Sequence, residues 1–350
     1  MVHLRIVAPA WEAQHVVDLL EQVPSAFNLI HVPGAARKPD GDLILVDVAR
    51  EDASVIVSDL KELEIHKCGS IAIESSETHI SDMAEEAERV APGDPGDAVV
   101  WEEVEARTSE DSNLTVSFVL FMILAAVIAT VGILEDSEIL IVGAMVVGPE
   151  FGPIAGFSTA LVERRVKLAA TSLLALAVGL PAAVTAAWLL ILALKAAGIA
   201  PDHFSEQDHG LAVIISDPNE LSALVAIAAG AAGVLSLTTA KSGALIGVLI
   251  SVTTIPAAAN IGLSAAYEDW ASWRGSQAQL AINVASILTA GVLTLWIQRL
   301  LYKRRRIRHL HDEAREAAGL PVGRSRRVSD PPPGTTRPPA SSGSARSRPS

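Results

Sequence analysis

The sequence has one cysteine in 350 residues, Cys68. That excludes an internal disulfide and argues against a cysteine-based metal site. Lysine is sparse, 7 residues against 20 arginines, and alanine is abundant, as in a high-GC bacterium. The first 25 residues lack the continuous apolar core of a signal peptide. The N-terminus is therefore expected in the cytoplasm. There is no Gly-x-Ser-x-Gly turn, no His-Glu-x-x-His helix and no pair of aspartates inside an apolar segment, so the chain is not expected to be an enzyme. His203 and His209 lack the i,i+4 spacing of helical ligands. His3, His15, His31, His66 and His79 are scattered, which suits surface or packing roles better than metal ligation. No metal or cofactor is expected.

Long apolar runs are plentiful. Half of the residues are hydrophobic and the mean hydropathy is +0.38, too apolar for an ordinary soluble protein. Six segments of membrane-crossing length follow residue 113: 114–134, 139–162, 168–194, 221–237, 244–266 and 278–301. The intervening charges alternate in sign. The basic group Glu163-Arg164-Arg165-Val166-Lys167, then Lys241, then Lys303 to Arg308 fall on one side. The acidic groups Glu135-Asp136-Ser137-Glu138, then Asp202, Glu206, Asp208 and Asp217, then Glu268-Asp269 fall on the other. This pattern obeys the positive-inside rule. It predicts a six-span domain over 113–301 in a bacterial inner membrane, with both termini cytoplasmic. Trp188, Trp270, Trp273 and Trp296 sit near segment ends, where interfacial anchors belong. Membrane lipids are the expected surroundings. The net charge of −13 comes largely from the N-terminal third, while the C-terminal end is basic, so the total gives no argument for a nucleic-acid partner.

Residues 1–75 alternate strand and helix patterns in the order βαββαβ, that of a ferredoxin-like split βαβ unit, with a turn expected at Pro33-Gly34 after the strand over 26–32. Such an arrangement serves equally for ligand binding, adaptor or dimerisation roles. Residues 76–112 form an acidic linker of helical pieces broken at Pro92 to Gly96. Residues 302–350 are basic and end in a Pro/Ser/Arg stretch, expected to be a disordered cytoplasmic tail.

The second apolar segment carries Gly148-Pro149-Glu150-Phe151-Gly152-Pro153. Proline breaks the helical ladder, and lipid cannot satisfy the freed backbone groups, so such a break belongs inside protein or beside water. A carboxylate at the bilayer centre costs about 2.5–3.5 kcal/mol on insertion scales, which makes Glu150 a candidate cation ligand or proton carrier. The bland alternative is that the break brings it to a wet interface. The fifth segment repeats the theme with Thr253-Thr254-Ile255-Pro256 and Asn260. Each break follows an apolar pair and a glycine, Ile141-Val142-Gly143 and Leu245-Ile246-Gly247, and Gly152 gives a further hinge or packing point. Asn283 in the sixth segment is a candidate polar partner. Three spans per half would make the halves a 3+3 inverted repeat, with both breaks meeting near the midplane. Small-residue runs around Ala226, Gly230 and Gly233 permit close helix packing and homo-oligomerisation.

The run Asp136-Ser137, Ile141-Val142-Gly143-Ala144-Met145 and Gly148-Pro149-Glu150-Phe151-Gly152-Pro153 resembles the hallmark of a bacterial and archaeal hydrophobic membrane family, "domain of unknown function 389". Gly230-Ala231-Ala232-Gly233 and Leu245-Ile246-Gly247-Val248 are similar to its second motif. The resemblance implies the architecture of a small N-terminal domain before a membrane unit. The family usually has a hydrophobic residue where this chain has Glu150, and often Pro-Pro where this chain has Ile255-Pro256. The leading expectation is a transporter or channel for a small solute or ion, using Glu150, Thr253, Thr254 and Asn260. The alternative is a membrane-anchored sensor or scaffold that binds a ligand in the N-terminal domain.

Overall fold

The computed structural model describes residues 1–76, 80–91, 93, 98–201, 203–204, 209–239 and 254–326. Of the positions singled out above, His79, Pro92, Gly96, Asp202, Glu206, Asp208, Lys241, Leu245 to Val248, Thr253 and the tail from residue 327 lie outside the described residues. The chain forms two units. One comprises residues 1–95 with 302–350, the other residues 96–301.

The first unit is built on β1 (Val2–Ala8), β2 (Ala26–Arg37), β3 (Asp40–Val48) and β4 (Ser70–Ser75). The sheet is antiparallel throughout, in the order β2-β3-β1-β4. Helices α1 (Ala10–Glu21) and α2 (Arg50–Glu62) follow β1 and β3; α3 (Ile65–Cys68) precedes β4 and α4 (Asp82–Val90) follows it. Strand alternation decides the buried face. Val2, Leu4, Ile6 and Ala8 are fully buried, as are Ile44, Val46 and Val48 of β3, beside Val16 and Leu19 of α1 and Leu60 of α2. The register sets Leu4 opposite Val46 and Ile73, and Ile6 opposite Ile44 and Ile71.

Pro33-Gly34, expected to turn the chain, lies inside β2 instead. The pairing shifts register between Val32 and Ala36, and Gly34 takes a positive φ of 64°. Its N–H donates to Asp42 Oδ1 at 2.9 Å. That bond, followed by the one from His31, holds the Asp42 carboxyl below its ordinary pKa. The strand thus continues to Arg37, and the hairpin closes through Lys38-Pro39.

The expected tail beginning at residue 302 is corrected over its first 25 residues. Helix α13 (Trp270–His309) runs on to His309 and is followed by α14 (Glu313–Ala317), which Asp312 caps at its N-terminus. Arg306 reaches Asp59 Oδ1 at 2.6 Å and Glu62 Oε1 at 2.8 Å, and His309 Nε2 reaches Asp59 Oδ2 at 2.7 Å. Arg315, fully buried, pairs with Asp59 and with Glu62. Basic composition alone reads as solvated; here the cations neutralise carboxylates of α2, and the segment folds as part of the unit.

Glu51, at the start of α2, is buried, and neither carboxylate oxygen has a hydrogen-bond partner among the described residues. Burial pushes its pKa up. Because the folded-state value is the higher one, ionising Glu51 opposes folding, fully above the folded pKa and progressively less as pH falls toward the unfolded value near 4.3. Glu51→Gln should therefore raise the melting temperature at pH 8, with the gain shrinking on acidification toward pH 4. A melting series across that range checks it.

In the second unit, α5 (Trp101–Asp111) precedes α6 (Val116–Leu134), α7 (Glu138–Val147), α8 (Phe151–Glu163), α9 (Val166–Ala196), α10 (Gly210–Ser216), α11 (Glu220–Thr238) and α12 (Ile255–Ala266), and the part of α13 up to Leu301 completes it. Thr115 starts α6 by accepting from Phe118 N–H, and Asn219 starts α11 by accepting from Ser222 N–H. Among the described residues α6, α9, α11 and α13 are long and apolar enough to cross a membrane. The pair α7 and α8, bent by 51°, makes a fifth candidate. The fifth expected segment, 244–266, is described only from residue 254, where it carries the 12-residue α12. Large apolar side chains on outer faces, such as Leu120, Leu173, Leu224 and Leu293, are more than half exposed. Such surfaces mark a membrane protein.

Candidate functional site

The break in the second apolar segment is built by Pro149. Helix α7 ends at Val147, with Gly148 N–H closing onto Ala144 O. Pro153, expected to share in the break, instead sits in the first turn of α8, where its missing N–H is one the helix would leave unpaired anyway. Glu150 occupies the position just before α8, yet its side chain makes no cap hydrogen bond. Its carboxylate is fully buried. It accepts from Thr254 Oγ1 at 2.6 Å, across 104 residues of sequence.

Thr254 is itself fully buried and immediately precedes α12. Pro256 lies in the first turn of that helix, so among the described residues it initiates a helix. The structure thus brings together Glu150 and Thr254 from the two proline-marked segments. A second buried polar group lies along α12 and α13. Asn260 Nδ2 donates to Ser276 Oγ at 2.9 Å, and Gln279 Nε2 donates to Asn283 Oδ1 at 3.4 Å. Asn260, Ser276 and Asn283 are fully buried. Pro256, Gln279 and Asn283 also line a cavity of about 290 Å³. Among the described residues no group of three or more His, Cys, Asp or Glu could hold a metal ion.

Ser276 and Gln279 are site residues not singled out from the sequence. The signal is present: Ser272, Ser276, Gln279 and Asn283 recur at helical spacing along α13, and all four are buried. The glycines divide. A Cβ on Gly152 would lie 2.7 Å from the Asp111 backbone, so close packing of α8 on α5 requires glycine there. Gly143 faces open space, so no packing demand accounts for it. A Cβ on Gly262 would lie 2.4 Å from Val184 O and 2.8 Å from Trp188 N, both backbone atoms of α9. Gly262→Val should force α12 off α9 and destabilise the protein by about 1–3 kcal/mol. A lowered melting temperature in detergent checks it.

Residues 145–289 match the family model described as Domain of unknown function (DUF389). Over those residues the second unit is similar to that family. Of the first motif that suggested this family, Met145 and Gly148 to Pro153 lie inside the matched stretch and Asp136 to Ala144 precede it; Gly148 to Glu150 form the bend between α7 and α8. A similar protein is an uncharacterized protein of the archaeon Methanocaldococcus jannaschii, 26 % identical over 214 residues, which cover 61 % of this chain and 62 % of that protein. The chain therefore spans less than two thirds of the length of the curated relative it matches. No solved structure matches.

Proposed function

We propose that this protein is an inner-membrane transporter or channel for a small solute or ion, with its site where the second and fifth apolar segments meet. The hydrogen bond from Thr254 to the buried carboxylate of Glu150 carries this reading. A carboxylate held away from water has a steep desolvation cost. Burying it at the junction of two interrupted segments suits charge transfer through the membrane better than packing does. The proposal includes a six-span topology with both termini cytoplasmic and two inverted halves, and the alternating loop charges of the sequence favour that orientation. The βαββαβ unit, with its antiparallel order β2-β3-β1-β4, suits a ferredoxin-like regulatory or assembly domain. Reconstitution into lipid vesicles under Na⁺, K⁺ or H⁺ gradients tests the proposal. Charge movement above that of empty vesicles is expected for at least one gradient, with or without a solute panel.

A second reading rests on a cavity of about 340 Å³ in the first unit. Val23 and Ile56 line it together with Arg305, Arg308, His309 and His311 and the carboxylates of Asp52 and Asp312. It suits a sensor that binds a small ligand, and five of its eleven described lining residues come from the C-terminal segment rather than from residues 1–75. Absence of transport by the reconstituted wild type, with ligand binding retained, would favour it.

A further inference from the structure

The cavity beside the proposed pathway differs chemically from the Glu150–Thr254 pair. Its polar lining consists of Asn219, Ser222, Gln279 and Asn283, and its apolar walls include Ile214 and Leu221. Among the described residues no ionisable side chain lines it. A charged guest would lose its hydration and find no countercharge. Gln279 is 5 % exposed, and its carbonyl oxygen is buried with no hydrogen-bond donor among the described residues. A buried acceptor left unmade is costly, so the site favours an occupant that brings a donor. The volume, about 290 Å³, lies at the small end of ligand sites.

We infer that this cavity binds a small uncharged molecule with an apolar body and a hydrogen-bond donor, such as a primary amide or an alcohol. The donor would satisfy Gln279, and the body would lie on the walls of α10 and α11. The inference rests on the proposed solute pathway and names the class of solute it would carry. Glu150 would then supply the coupled charge, leaving the solute itself neutral.

The test uses the full chain in detergent and radiolabelled isobutyramide in equilibrium dialysis. Saturable binding is expected, with isobutyrate and isobutylammonium competing at least about tenfold less well for want of a countercharge. Gln279→Leu should weaken binding by about tenfold or more, while Leu293→Ala, on an exposed face, should leave it unchanged. The competition series needs no variant, so a misfolded Gln279→Leu protein does not rescue the inference. No saturable binding, preference for either charged analogue, or binding indifferent to a folded Gln279→Leu variant would overturn it; the last result would mark an apolar occupant such as lipid or detergent. Binding without uptake by vesicles would keep the site and reject transport. Charge movement without isobutyramide binding would keep transport and reject this solute class.

Discussion

Vesicles carrying Glu150→Gln should move charge at least about tenfold more slowly than wild type, while the variant melts close to the wild-type temperature. The amide keeps the size of the side chain and can still accept from Thr254, whose hydroxyl sits 2.6 Å from Glu150 Oε1. What it loses is the ability to ionise, and with it any role in binding a cation or carrying a proton. Glu150→Leu separates the two effects. It removes the acceptor as well as the charge, leaving the buried Thr254 hydroxyl without this partner at a cost of about 1–3 kcal/mol. Loss of transport with retained stability in the Gln variant, against loss of both in the Leu variant, is the expected pattern. Unchanged flux in a folded Glu150→Gln protein would end the role assigned to this carboxylate.

The second large effect is in the first unit. Asp59→Ala should destabilise it by about 3–5 kcal/mol, because removing one member of a buried ionic group leaves the others uncompensated. Asp59 is fully buried and receives Arg306, His309 and Arg315 together. Burial works against the charge of Arg306, but Asp59 and then Glu62 outweigh it and hold its pKa above the ordinary value. With Asp59 gone, only Glu62 is left to pair with Arg306 and Arg315 in this group. Replacing Asp59 with Leu and Arg315 with Met together should cost less than Asp59→Ala alone, since the double variant removes opposite charges in step. Melting of the full chain, with limited proteolysis between residues 302 and 326 as a local readout, checks both. A silent Asp59→Ala would mean that the cluster contributes no net stability.

The apolar stretches of α6, α9, α11 and α13 were legible because periodicity and length are local properties, and lipid demands both in one segment. The element order of the first unit was legible for the same reason: alternation in β1 and β3 and helical spacing in α1 and α2 are set by neighbouring residues. Pro33-Gly34 misled because turn residues also serve inside a bulged strand when a partner such as Asp42 secures the free N–H. Pro153 misled because proline starts helices as readily as it breaks them.

The sequence by itself determined that this chain has an apolar helical unit beside a small α/β unit, and that Glu150 and Thr254 lie at proline-marked interruptions. Hydropathy and backbone chemistry act within a few residues, so one dimension suffices to see them. Only the tertiary structure decided that Glu150 and Thr254 meet, that Ser276 and Gln279 join the polar group, and that Arg306, His309 and Arg315 close on Asp59 and belong to the folded first unit. Those pairings span from 16 to 256 residues, apart from the local contact of Gln279 with Asn283. Which carboxylate finds which hydroxyl or cation over such distances is set by the packing of whole elements, as where α12 lies against α9 at Gly262.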